Sequence, residues 1–172
     1  MNTTRRSILL SLFLLIFNCG FAQETELDRR NGFKDIKMAS NIDSVKGAIF
    51  KKDFKEKGDI PAKLYEIEHP EYETIGEVKV NRIEIRTYKN LIYEILVITD
   101  KDQRLMKGME KALGKPGYNL REDSYNWAGK NVSLKFTSYS KNQLQLLYGS
   151  KIIYKMMTDD KKQKIKDISS DF

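Results

Sequence analysis

The stretch "RIEIRTYKNLIYEILVI", residues 82–98, restricts this chain more than any other. Ile83, Ile85 and Thr87 recur at every second position, the period of a strand. Lys89-Asn90 separates them from a second run of the same character, so the pair predicts a β-hairpin with a two-residue turn. That second run is apolar on both faces: Leu91, Tyr93, Ile95 and Val97 oppose Ile92, Leu96 and Ile98. Such a strand belongs in the middle of a sheet covered on at least part of both sides. Just upstream, Val78 and Val80 run in the opposite phase to Ile83 and Ile85. Strand side chains keep a strict period of two, so the slip at Asn81-Arg82 predicts a turn or bulge.

Around this hairpin the other elements fall into order. Phe33, Ile36 and Met38 suit a short strand-like segment. Ile42, Val45 and Ile49 follow at helical steps, with Ser40 or Asn41 as cap. "KKDFKEKGDIP" reads as a charged loop, and residues 62–69 as a strand stopped by Pro70. The clearest helix is "TDKDQRLMKGMEKALGKPG". Thr99 or Asp100 caps it, Leu105, Met106, Met109 and Leu113 form its stripe, and Gly114 and Pro116 end it. Alternation in "NVSLKFTSY" and "QLQLLYG" gives a second hairpin. Ile152, Ile153, Met156 and Met157 predict a C-terminal helix, extendable to Ile165 and Ile168. The expected fold class is α+β: an antiparallel sheet with helices packed on it, arranged as two helix-then-strands units plus the final helix.

Residues 1–22 carry a different signal. Arg5 and Arg6 precede "ILLSLFLLIF", and Gly20 and Ala22 offer small residues at −3 and −1 of a cut before Gln23. This is the anatomy of a secretory signal peptide, with an apolar run shorter than the roughly 20 residues of a membrane span. The alternative is a lipoprotein anchored at Cys19, which Phe17 and Asn18 oppose, because lipoprotein processing favours small residues just before the cysteine. Cleavage after Ala22 removes the only cysteine, so no disulfide framework is available, and the 22 residues lost from 172 leave 150 for one packed core. Residues 23–31, "QETELDRRN", read as a flexible spacer, and 32–172 as a single domain. The expected location is periplasmic or secreted, with no transmembrane span in the mature chain.

Composition narrows the partners. Net charge is +7, and loss of Arg5 and Arg6 leaves 29 basic against 24 acidic residues, or +5. The basic clusters at 51–57 and 161–166 are broken by acidic or apolar neighbours or stand beside them, unlike the dense stripe of a nucleic-acid reader. Solvated faces account for them.

The segments "NGFKDIKMASNIDSVKG", "YKNLIYEILVI" and "MEKALGKPGY…YNWAGKNVSLKF…LQLLYGS" resemble a group of small secreted proteins of Bacteroidota, over nearly the whole mature chain. The helix-plus-strands repeat is similar in topology to β-lactamase-inhibitor-like domains and related envelope assembly lipoproteins. Both resemblances rest on structural patterns and bring no catalytic residues with them.

The chemistry-bearing residues point away from catalysis. His69, the sole histidine, stands among Glu66, Glu68, Glu71 and Glu73, but one imidazole and no mature thiol make a poor transition-metal set. No nucleophile elbow and no glycine-rich phosphate loop is present. Asn131-Val132-Ser133 matches a glycosylation sequon by chance. No cofactor is expected. Tyr125 and Trp127 share a strand face, with Phe136 and Tyr148 on neighbouring strands. Those four form either the aromatic core beneath a helix or an exposed platform for a glycan or a partner. The reading that results is a non-enzymatic envelope or secreted binding domain contacting a protein partner. The alternative is a glycan or cell-wall module using the Tyr125–Trp127 face.

Overall fold

A computed structural model describes residues 24–169. The expected leader, its cleavage point and Cys19 lie outside the described residues. The chain runs α1 (Glu26–Arg30), β1 (Gly32–Phe33), β2 (Ile36–Lys37), a 3-10 turn (Ile42–Ser44), β3 (Ala48–Glu56) and β4 (Ile60–Ile67). A second 3-10 turn (Pro70–Tyr72), β5 (Thr74–Ile75), β6 (Val78–Tyr88), β7 (Leu91–Asp100) and α2 (Gln103–Leu113) follow. The last third holds β8 (Gly117–Asn119), β9 (Ser124–Ala128), β10 (Val132–Ser140), β11 (Gln143–Ser150) and α3 (Lys151–Ser169). The expected α+β class holds.

The main sheet has the order β3-β4-β6-β7-β11-β10-β9-β8, every neighbouring pair antiparallel, with β5 paired to the start of β6. Each half is a four-stranded meander running from an outer edge to the centre, and the two last strands, β7 and β11, join them. Central placement explains why β7 is apolar on both sides. The β6–β7 turn uses Lys89 and Asn90 at φ 51° and 64°, the left-handed pair that matches strand twist in a two-residue hairpin. The phase slip is a bulge: Val80 pairs with Thr99 and Arg82 with Ile98. A second bulge lies opposite Arg86/Thr87, which pair with Glu94 and Ile92 and leave Tyr93 over. Tyr93 therefore turns to the same face as Glu94, where it meets Tyr154 of α3.

One sheet face carries the main core, with Ile83, Ile85, Ile95, Val97, Leu134 and Leu146 packed under α1, the β1–β2 hairpin and α2. The other face carries a smaller cluster, in which Ile153 and Met157 of α3 meet Ala62, Tyr88 and Tyr93.

Four local expectations are corrected. Residues 26–30, read as spacer, are a helix: Thr25 caps it, Leu27 is buried, and Asp28 reaches the β9–β10 turn. The helix expected at 41–49 is a single 3-10 turn, because Gly47 at φ 70° turns the chain and its carbonyl accepts from the Glu68 N–H. The charged loop at 51–61 is the edge strand β3 and its turn into β4, its lysines facing water as edge strands require. The α2 cap is Asp102, whose carboxylate accepts from the Arg104 N–H, since Thr99 and Asp100 remain paired to Leu144 and Gln143 in the sheet.

Candidate binding surfaces

The four predicted aromatic residues do share a sheet face. Trp127 pairs with Leu134, Tyr125 with Phe136, and Leu134 in turn with Tyr148. That face is the helix-covered one. Trp127, Phe136 and Tyr148 are buried in the main core, and only Tyr125 remains 38% exposed. Trp127 also donates its indole N–H to the Gly114 carbonyl at 2.7 Å, which ties the end of α2 to β9. Of the two readings of this face, core and platform, Trp127, Phe136 and Tyr148 fit the core, and the Tyr118–Tyr125 pair on the outer strands, with ring centres 4.9 Å apart, stays exposed. His69 caps the second 3-10 turn, its Nδ1 accepting from the Glu71 N–H at 3.3 Å. Among the described residues no group of three or more His, Cys, Asp or Glu is placed to hold a metal ion.

Two other surfaces stand out. The first is a cleft of about 770 Å³ on the helical side, between α2 and the α1–β1–β2 segment. Its floor and walls are apolar, from Leu27, Phe33, Val78, Leu105, Met109 and Leu146. Arg30, Lys34, Lys37 and Arg104 line it against a single lining carboxylate, Glu77. Arg104 is occupied, bonding Glu77 at 2.8 Å and Asp102 at 2.8 Å, and Arg30 is paired with Glu26 at 3.2 Å. Lys34 and Lys37 bond backbone carbonyls of Glu71, Arg30 and Lys34, which leaves their charge uncompensated by those contacts. Tyr148 sits in the lining, 8% exposed, and its hydroxyl is not among the buried polar atoms left without a partner, which among the described residues are represented by Thr87 Oγ1. Burial pushes that hydroxyl up to about 12, against the opposing pull of the Arg30 charge, so it is a neutral donor near pH 7.

The second surface is the opposite sheet face. α3 covers it at the row Arg86–Glu94–Gly149, where Tyr154 donates to Glu94 at 3.0 Å and Arg86 pairs with Glu94 at 3.1 Å. Burial raises the Glu94 carboxyl above its ordinary value, and Arg86 and Tyr154 only partly offset this. The next row, Glu66–Glu84–Leu96–Leu147–Lys135, is only half-buried. Charges of both signs surround its two leucines. Lys51 pairs with Glu66 at 2.6 Å, Arg82 with Glu84 at 3.3 Å, and Lys135 with Glu122 at 2.6 Å. Arg82 also donates to the Tyr139 hydroxyl at 2.8 Å.

Comparison of the chain with protein-family models, with curated proteins and with solved structures gives no match.

Proposed function

We propose that this protein is a non-enzymatic binding or accessory domain of the secretory or envelope compartment, and that it contacts a protein partner through the sheet face beyond α3. The observation that carries this reading is the row Glu84–Leu96–Leu147–Lys135, with apolar residues at its centre and both charge signs at its rim. That is the anatomy of a protein–protein interface. A nucleic acid would need uniform positive charge, and a sugar would need exposed flat rings. Two meanders, each preceded by a helix, support the topological resemblance to β-lactamase-inhibitor-like domains. Fold alone does not give the partner. Secretion rests on the leader, and the intact mass of the protein from its own host checks it: a chain starting at Gln23 supports export, whereas an acylated chain starting at Cys19 means a membrane tether. No helix among the described residues is long and apolar enough to cross a membrane.

The test uses photo-crosslinkers placed in turn at Thr137 and Leu147 on the open face and at Lys111 on α2. The expected result is one protein adduct shared by the first two positions and missing from the third. Arg82→Glu, at the rim, should abolish it. Equal labelling from all three positions would refute the assignment of the face.

A further inference from the structure

The helical-side cleft is separate from the face assigned to a partner, and it has features that a packed interior would not retain. Tyr148 lines the cleft with its ring largely buried, and its hydroxyl is accessible to an occupant of the cleft rather than sealed away: the buried side-chain oxygen left without a partner among the described residues is Thr87 Oγ1. The volume of about 770 Å³ falls in the range of about 300–1,000 Å³ typical of small-molecule sites. The wall of α2 has room as well. Gly108 and Gly76 both line the cleft, and a Cβ on either would touch nothing within 4 Å. A glycine in mid-helix is disfavoured by propensity, and here it keeps the cleft wide.

We propose that this cleft binds a single-chain amphiphile with a carboxylate head, a free long-chain fatty acid. The alkyl chain lies along Leu27, Phe33, Val78, Leu105 and Met109. The head meets the Tyr148 hydroxyl and the cationic rim of Arg30, Lys34 and Lys37. Charge selects the head, since Lys34 and Lys37 bond backbone carbonyls, while Arg30 is paired with Glu26 and the one lining carboxylate, Glu77, is held by Arg104. Position selects a single chain. The charge not met by a carboxylate lies on the β1–β2 side, while Arg104 across the cleft is already bonded to Asp102 and Glu77. The tyrosine contributes as a donor: its raised pKa keeps the proton on the oxygen at neutral pH, where the fatty acid is ionised.

The experiment titrates the purified protein by calorimetry with saturated carboxylates of eight to sixteen carbons, each below its micelle concentration. Matched alkyl alcohols and alkyltrimethylammonium ions serve as controls. One site is expected, tightening about fourfold per added methylene until the cleft is filled. The carboxylate should bind more tightly than the alcohol, and the quaternary ammonium more weakly than either. Tyr148→Phe should lower carboxylate affinity about tenfold while leaving alcohol affinity nearly unchanged, a split that loss of packing would not give. Gly108→Leu adds a helix-favouring side chain in open space, so the protein should stay folded, with an unchanged or higher melting temperature, and lose binding. Three results would overturn the proposal. They are no saturable binding at any chain length, equal binding of carboxylate and ammonium amphiphiles, and binding indifferent to Gly108→Leu.

Discussion

Asp28 is the residue whose replacement tests the fold most directly. It lies on α1, 6% exposed, and its carboxylate accepts three backbone N–H groups of the β9–β10 turn. These come from Lys130 at 2.6 Å, Asn131 at 2.7 Å and Val132 at 3.1 Å, and the Thr25 hydroxyl adds a fourth bond at 2.8 Å. Gly129 is packed against the same carboxylate, since a Cβ there would fall 2.5 Å from Asp28 Oδ1. Asp28→Asn preserves the shape but removes the charge. The bonds from Asn131 and Val132 become neutral, a loss of about 1 kcal/mol each, and the Lys130 N–H then faces an amide N–H₂, costing about 1–3 kcal/mol more. The expected destabilisation at pH 7 is about 3–5 kcal/mol, read by urea denaturation. It corresponds to a fall in melting temperature of roughly 6–20 °C for a domain of this size.

The pH dependence supplies the control. Burial raises the Asp28 pKa, but the hydrogen bonds from Asn131, Lys130, Thr25 and Val132 outweigh it and hold the group below its ordinary 3.8. As pH falls the unfolded chain takes up the proton first. The contribution of the clasp is therefore whole above that value and is lost as pH drops through the folded pKa. The gap between wild type and Asp28→Asn should narrow below pH 4. A gap under about 1 kcal/mol at pH 7, or one that does not change with pH, would refute the charge-assisted clasp.

Other perturbations discriminate further. Gly47→Ala should cost about 3 kcal/mol or more in urea, because φ is 70° and the new Cβ would fall 2.2 Å from the Glu68 carbonyl oxygen. Gly76→Ala, at φ 61° in open space, should cost only about 1–2 kcal/mol. Trp127→Phe should cost about 2–3 kcal/mol through the lost bond to Gly114 and a smaller ring. In the wild type, emission of this only tryptophan should be blue-shifted and resist acrylamide and added sugars. Glu94 has the opposite sign to Asp28: its folded pKa lies above 4.5, so the native state holds the proton longer and wild type loses stability as pH rises past that value. Glu94→Gln should gain relative to wild type over the same range, and flat difference curves would refute the burial argument.

What sequence could and could not reveal follows from where the stabilising contacts come from. The hairpin at 82–98, α2 and the β10–β11 hairpin were legible because each carries its own periodicity and its own turn or cap. α1 was not, since "ELDRR" has one apolar residue and its helix is secured by a turn about a hundred residues away in sequence. β3 was hidden by its lysines, which suit an edge strand as well as a loop. Periodicity placed Tyr125, Trp127, Phe136 and Tyr148 on one face correctly, but could not tell which face the helices cover. The cleft draws on α1, β1, the segment around Gly76, α2 and β11, and no single stretch announces such a convergence. Its one local signal was Gly108, a glycine between Leu105 and Met109 in an otherwise strong helix.

Unequal helical cover over the two halves of the sheet explains why both surfaces exist and how they should behave together. The second unit opens with the eleven-residue α2, whereas the first opens with the five-residue α1 and a small hairpin, too short to cover the same area of sheet. The uncovered remainder is the cleft. α3 belongs to neither unit and reaches only part of the opposite face, so the remainder there is the proposed docking row. Tyr148 in the cleft and Leu147 in that row are adjacent on β11, close enough to invite the idea that one site regulates the other. Coupling needs an element with two arrangements that both ligands bias, and β11 is fixed on one side to β7 and on the other to β10 through nearly its whole length. The expected behaviour is independence: partner affinity measured with and without saturating carboxylate should agree within about twofold, a coupling under roughly 0.5 kcal/mol. A change of tenfold or more would mean that β11, or the α2 wall that Trp127 ties to β9, has a second arrangement.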